Sequence, residues 1–166
     1  MPKSRDEVKL FVTDVDGTLT DGGIYYTAQG EYMKRFNIRD GMGLSLLRQS
    51  GVDVAIMTGE ETEIVLRRAE KLQISHVFLG VKEKLPELRK LCQRLDVSLK
   101  HVAYVGDDVN DLEPMKEVGV SFAVADADSR VLEAASVRLS KRGGEGAVRE
   151  AVEWILNRNE RAPFSK

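Results

Sequence analysis

Two carboxylates, Asp14 and Asp16, stand where an apolar run ends: Leu10-Phe11-Val12-Thr13-Asp14-Val15-Asp16-Gly17-Thr18. Such a run reads as a buried parallel strand. Acids at its C-terminal end would lie on the edge where open α/β sheets bind ligands. Two acids this close repel each other unless a cation or a proton relieves them. Further polar groups follow similar apolar runs: Thr58 after residues 52–57, Lys84 in the helix after residues 76–80, and Asp107, Asp108 and Asp111 after residues 101–105. Strand C-terminal ends share one rim, so these groups can converge although they are far apart in sequence. The set suits phosphoryl transfer. One carboxylate can attack phosphorus as a covalent nucleophile. A second can protonate the leaving oxygen and later deprotonate water. A third, with the first, offers hard oxygen ligands to Mg²⁺. A hydroxyl and an ammonium can hold the remaining phosphoryl oxygens.

The elements that must position these groups alternate between strand and helix, with short links. The expected fold class is α/β, a doubly wound parallel sheet with helices on both faces. Strands are expected at residues 10–13, 52–57, 76–80, 101–105, 120–124 and 137–139, and helices at 42–50, 61–72, 83–95, 112–118, 128–135 and 147–156. Asp40 reads as the N-cap of the first helix and Gly51 as its C-terminal stop. Residues 22–36 carry two short β-rich pieces around a Gly-containing turn and read as a hairpin. Its tyrosines and Met33 are expected to pack on the domain or on another subunit. His76 and His101 sit at strand starts, away from the rim, without ligand-spaced partners, and read as structural.

Length and composition bound the rest. At 166 residues the chain is expected to form one domain, 1–166, with a polar tail at 157–166 that is flexible or docks on another subunit. A formal net charge of −2 argues against a general nucleic-acid or anionic-membrane binder. The one cysteine, Cys92, lies in a helical pattern and reads as a core residue in a reducing compartment. No run reaches membrane-spanning length, and the N-terminal residues lack the apolar segment of a signal peptide, so a cytoplasmic location is expected.

In order along the chain, Asp14-x-Asp16-Gly17-Thr18, Thr58-Gly59, Lys84 and Gly106-Asp107-Asp108-x-x-Asp111 resemble the four motifs of the haloacid dehalogenase superfamily of phosphohydrolases. The resemblance implies a Rossmann-like core with Asp14 as the nucleophile that becomes an aspartyl-phosphate. It makes Asp16 the general acid/base, with its backbone carbonyl on Mg²⁺, and Thr58 and Lys84 the phosphate-binding pair. Asp14, Asp16 and Asp107 would be the metal ligands, with Asp108 and Asp111 holding metal-bound water or the local loop. A phospho-receiver module also carries strand-end acids and a lysine. It places its phospho-acceptor after the third strand, however, where this chain has Phe78-Leu79-Gly80. A phosphomutase needs a cap domain, for which the chain has no room.

Thr20-Asp21-Gly22, Phe36-Asn37-Ile38-Arg39-Asp40-Gly41, Val124-Ala125-Asp126-Ala127 and Gly143-Gly144-Glu145-Gly146-Ala147-Val148-Arg149-Glu150 carry a narrower resemblance. They are similar to the small capless branch that includes the 3-deoxy-manno-octulosonate 8-phosphate phosphatases of lipopolysaccharide precursor synthesis. The branch implies a homotetramer whose hairpin flaps meet at the centre, a neighbouring subunit completing each active site. It also implies a substrate site lined by Asn37, Ile38, Arg39, Asp40, Gly41, Ser45, Glu60 and Arg68, beside Asp16 and Lys84. Arg149 would reach a site in its own or a neighbouring subunit, or be structural. One departure bears on the sugar. The octulosonate enzymes commonly carry arginine after Thr-Gly, whereas this chain has Glu60, with Lys71 eleven residues later. Glu60 and Lys71 could face the sugar as an ion pair and favour the nine-carbon 2-keto-3-deoxy-nononate 9-phosphate, or Glu60 could simply cap a helix. The eight-carbon substrate is the leading expectation.

Overall fold

The computed structural model describes residues 7–160, and a six-stranded parallel sheet is its frame. In chain order the elements begin with β1 (Leu10–Thr13), β2 (Tyr25–Thr27), β3 (Gly30–Met33), α1 (Ile38–Gln49) and β4 (Asp53–Met57). They continue with α2 (Glu63–Lys71), β5 (His76–Phe78), α3 (Lys84–Leu95), β6 (Val102–Gly106) and α4 (Leu112–Glu117). The last are β7 (Val120–Ala123), α5 (Ser129–Ala134), β8 (Val137–Arg138) and α6 (Ala147–Arg158). The sheet order is β5-β4-β1-β6-β7-β8, so β1 pairs with β4 on one side and β6 on the other. The order reverses direction at β1, which is where a doubly wound sheet opens a crevice.

Strand residues alternate between two cores, as the period of two requires. Phe11, Val54, Ile56, Ala103 and Val105 face a core closed by α1, α2 and α6. Leu10, Val12, Ala55, Met57, Val102 and Tyr104 face the other, closed by α3, α4 and α5. Cys92 is buried in that second core, and burial pushes its thiol up. None of the helices among the described residues is long and apolar enough to cross a membrane.

β2 and β3 form the antiparallel hairpin, and a bridge between Thr20 and Phe36 closes its stem. Within one chain the hairpin leaves Tyr25, Tyr26, Tyr32 and Met33 exposed, so these side chains do not pack on their own domain. The segment between β1 and α1 holds this hairpin and no cap domain.

Four boundaries differ notably from expectation. α1 begins at Ile38, one turn early, because the Asn37 side chain accepts from the Arg39 amide at 2.8 Å and takes the N-cap position expected of Asp40. α2 starts at Glu63, where Thr62 caps it by accepting from the Ile64 amide. His101 ends a 3-10 turn rather than opening a strand, its Nδ1 lying 2.8 Å from the Glu7 carbonyl oxygen. α6 extends to Arg158, so the first residues of the expected tail are helical. Residues 161–166 of that tail lie outside the described residues.

Asp40 has a different task. It is buried on α1, and its Oδ1 accepts from the Arg149 amide at 2.8 Å, in the first turn of α6. Gly146, the N-cap of α6, has no side chain to offer, so a carboxylate from another helix does the capping. Asp40→Ala is therefore expected to cost about 1–2 kcal/mol, as loss of a cap does, read as a lower midpoint in chemical denaturation. An unchanged midpoint would remove Asp40 from that role.

Candidate active site

Asp14 leaves the C-terminal end of β1 in the middle of the sheet and is 5% exposed. Lys84, the first residue of α3, is buried and reaches it with Nζ 2.6 Å from Asp14 Oδ1. The same ammonium lies 2.7 Å from Asp111 Oδ1, so one lysine serves two acids. Asp111 is held from four directions. Its Oδ1 also accepts from the Tyr104 hydroxyl at 2.6 Å, and its Oδ2 accepts from the amides of Asp107 and Asp108 at 3.0 and 3.3 Å. Those contacts fix the loop that presents Asp107, and Gly106 makes room for them, since a Cβ there would lie 2.4 Å from the Asp111 carboxyl carbon. Gly17, at φ +84°, is needed twice: for its left-handed backbone, and because a Cβ would lie 2.0 Å from Asp107 Oδ2. Thr18 donates to Asp107 Oδ1 at 3.3 Å, which links the two acid-bearing loops.

These groups surround a cavity of about 200 Å³ lined by Asp14, Asp16, Thr58, Gly59, Glu60, Asp107, Asp108 and Asn110. Six of the expected site residues thus share one wall, with Lys84 and Asp111 directly behind Asp14. Thr58 is buried at the end of β4, and its hydroxyl oxygen accepts from the Glu60 amide at 3.2 Å. Glu60 is exposed at the rim and has no ion-pair partner among the described residues. Asp16 is held from the hairpin side by Lys34, whose Nζ lies 2.5 Å from Asp16 Oδ1.

The electrostatics call for a cation. Burial first, then the charge of Asp111, holds the Asp14 carboxyl well above the usual carboxylate range, although Lys84 opposes the shift. Burial and Asp111 push Asp107 up to about 7. Lys84 goes the other way from a lone buried lysine, because Asp14 and Asp111 raise its pKa against the cost of burial. One ammonium cannot neutralise Asp14, Asp107 and Asp111, whose carboxylate oxygens lie within 4.8 Å of one another. The oxygens of Asp111 are already taken by four donors, which leaves Asp14 and Asp107 as the side chains free to hold a metal ion. Hard oxygens of this kind fit Mg²⁺.

A pH dependence follows for the metal-free protein. Asp107 binds its proton more tightly folded than unfolded, so between about pH 4 and 7 the native state holds more protons and stability falls as pH rises. Bound Mg²⁺ relieves the same repulsion. The gain in Tm from adding Mg²⁺ over a chelator is therefore expected to be larger at pH 8 than at pH 5. An equal gain at both would contradict it.

Other expected residues lie outside the cavity. Ile38 and Arg39 are exposed at the start of α1. The Asn37 amide donates to the Gly144 carbonyl at 3.2 Å, and the Ser45 hydroxyl donates to Gly41 within its own helix. Arg68 lies over the Phe36 ring at 5.4 Å and donates to the Asn37 carbonyl, with its guanidinium packed close to Gly41. Lys71 is exposed at the far end of α2, and no Glu60–Lys71 ion pair forms within the chain. The Arg149 side chain pairs with Glu153 at 2.7 Å. Asp126 accepts from the Gly143 amide, and the Gly144 amide donates to Thr18, so the Gly-rich turn braces the loop after β1. Sequence reasoning missed Tyr104, Lys34 and Asn110. A signal existed for Tyr104, since a phenol on a strand buried on both faces must find a hydrogen-bond partner.

The comparisons with known proteins agree with this geometry. A family model described as haloacid dehalogenase-like hydrolase matches residues 80–151. The 3-deoxy-D-manno-octulosonate 8-phosphate phosphatase of Haemophilus influenzae is 41% identical over 94% of this chain and 87% of its own length. A crystal structure of the Moraxella catarrhalis phosphatase of that name, in complex with magnesium ion, phosphate ion and a KDO molecule, superposes with a TM-score of 0.92 at 41% identity. That match covers 96% of this chain and 92% of the other. The Yersinia pestis phosphatase superposes with a TM-score of 0.93 at 40% identity, over 96% and 86% of the two chains. The chain belongs to the 3-deoxy-D-manno-octulosonate 8-phosphate phosphatase family of haloacid dehalogenase-like hydrolases.

Proposed function

We propose that the chain is a Mg²⁺-dependent phosphomonoesterase that hydrolyses 3-deoxy-D-manno-octulosonate 8-phosphate through an aspartyl-phosphate on Asp14. The observation that carries this reading is a strand-end carboxylate at the wall of a small polar cavity, backed by a buried lysine and faced by a second acid. The Moraxella catarrhalis relative, crystallised with magnesium, phosphate and KDO, supports it.

Asp14 and Asp107 would hold the Mg²⁺, with the Asp16 backbone carbonyl. When bound, the ion offsets charge on the phosphoryl group. Thr58 and Lys84 hold phosphoryl oxygens, and Lys84 also keeps Asp14 in position. An Asp14 oxygen attacks phosphorus while the bond to the sugar oxygen breaks, and Asp16 gives that oxygen its proton. Water then attacks the aspartyl-phosphate and loses a proton to Asp16, which frees Asp14 and returns the enzyme to its starting state.

The same reading takes the chain as a single domain that assembles as a homotetramer in the cytoplasm. The exposed hairpin tyrosines, with Ile38 at 83% and Met42 at 56% exposure, support association. Such an assembly would let Arg39, Lys71 and the start of α1 meet a neighbour's cavity. Glu60 favours a second substrate. An unpaired carboxylate at the cavity rim accepts from sugar hydroxyls, and the nine-carbon acid carries one more of them.

The test compares kcat/KM on the eight- and nine-carbon phosphates, with and without Mg²⁺. A Mg²⁺-dependent preference for the eight-carbon substrate is expected. A preference of about tenfold or more for the nine-carbon one, equivalent to about 1.4 kcal/mol, would replace it.

A further inference from the structure

Lys34 follows β3 at the base of the hairpin, and its side chain is wholly buried. Its ammonium lies 2.5 Å from Asp16 Oδ1 and 3.3 Å from Glu31 Oε2. Glu31 Oε1 in turn accepts from the Thr62 hydroxyl at 3.1 Å, and Thr62 is the N-cap of α2. A chain of polar contacts therefore runs from the acid/base, through the hairpin, to the helix that follows Glu60. Asp16 Oδ2 is buried without a hydrogen-bond partner. A buried ammonium is costly unless its partners are well placed, and removing one partner from such a cluster is costlier still.

We propose that Lys34 is a positioning residue for proton transfer: by holding Asp16 Oδ1 it sets the orientation of the carboxyl and leaves Oδ2 as the oxygen that delivers the proton to the departing sugar alkoxide. This rests on the role of Asp16 given above. Lys34 itself exchanges no proton. The proton on Oδ2 moves to the sugar oxygen as its bond to phosphorus breaks, and Oδ2 regains one from the attacking water. Glu31 keeps the ammonium in place, and its bond to Thr62 ties the hairpin to the other side of the cavity. The hairpin thus acts on the chemistry of its own chain through one lysine.

The leaving group separates this role from a merely structural one. The octulosonate alkoxide needs a proton to depart, whereas nitrophenolate leaves without one. In Lys34→Met, kcat on 3-deoxy-D-manno-octulosonate 8-phosphate is expected to fall about 100-fold with KM changed less than about threefold, the size of effect that a misplaced general acid gives. Single-turnover release of nitrophenolate from p-nitrophenyl phosphate, with enzyme in excess, is expected to stay within about threefold of wild type. Lys34→Arg, which can still pair with Asp16, should recover at least about a tenth of the wild-type kcat. Should Lys34→Met fail to fold, Glu31→Gln reads the same contrast, with a loss of about 3- to 10-fold on the sugar phosphate alone. Equal losses on both substrates, or no loss on the sugar phosphate, would overturn the proposal. A wild-type protein that turns over neither substrate would instead overturn the phosphatase reading.

Discussion

Asp14→Asn is expected to stop phosphate release, by about 10⁴-fold or more, while leaving the protein folded. A carboxamide cannot attack phosphorus to form the acyl-phosphate, and the half of the carboxylate that would meet the metal ion is lost as well. The structure also predicts what happens to stability, and the direction is unusual for a buried charged residue. Asp14 is held in a site that disfavours its ionised form, through burial and the charge of Asp111. Lys84 keeps Asp111 as a partner when Asp14 becomes neutral, at 2.7 Å. In the metal-free protein the substitution is therefore expected to leave Tm unchanged or raise it, because it removes a repulsion that only the working enzyme needs. The two measurements belong together: Mg²⁺-dependent turnover of the sugar phosphate, and thermal unfolding in the presence of a chelator. Persistent turnover in a folded Asp14→Asn protein would sink the covalent mechanism.

Lys84→Met reverses that pattern and is expected to damage both properties. Methionine keeps the volume of the lysine stem, so packing changes little. What disappears is the counter-charge for two buried carboxylates, each within 2.7 Å of the ammonium. Breaking a buried pair from one side typically costs about 3–5 kcal/mol. Some of that cost is escaped by protonation. In the variant the folded protein would hold protons that the unfolded chain releases, so its stability falls as pH rises, and the loss relative to wild type is larger at pH 8 than at pH 5. Activity should fall about 10²- to 10³-fold, the range for removing one donor that meets developing charge. Urea unfolding at the two pH values, with kcat measured alongside, checks both parts. A loss of stability that is independent of pH would mean that Lys84 does not neutralise these acids.

These two residues were also the easiest to find. Lys84 lies at the start of α3, beyond Lys82 and Glu83, and its place in the motif order singled it out. Asp14 stands where an apolar run gives way to a polar group, and the placement of a strand end is a local property of the chain. The same holds for Thr58 and Asp107, and for the alternation of strand and helix that makes a parallel sheet. Periodicity identified the helical faces for the same reason, since burial on one face imposes a repeat on the sequence itself.

Where local pattern stopped, long side chains found partners that no spacing announced. Asp40 looked like the cap of its own helix and instead caps α6, 109 residues away. Arg68 looked like a ligand for a sugar acid and lies over Phe36. Lys34 carried no signal in the sequence and is buried against Asp16. The residue types and spacing along the chain by themselves determined the alternation of strands and helices, the parallel sheet class and the polar groups at the strand ends. Only the docking of α1 on α6, of α2 on the loop before α1, and of the hairpin stem over β1 decided which charged side chains face the cavity and which brace it. The physical reason is one of range. Secondary structure and its buried face are set by neighbours a few residues apart, whereas the partner of a buried charge depends on which distant segments come together and must be chosen to offset its loss of water.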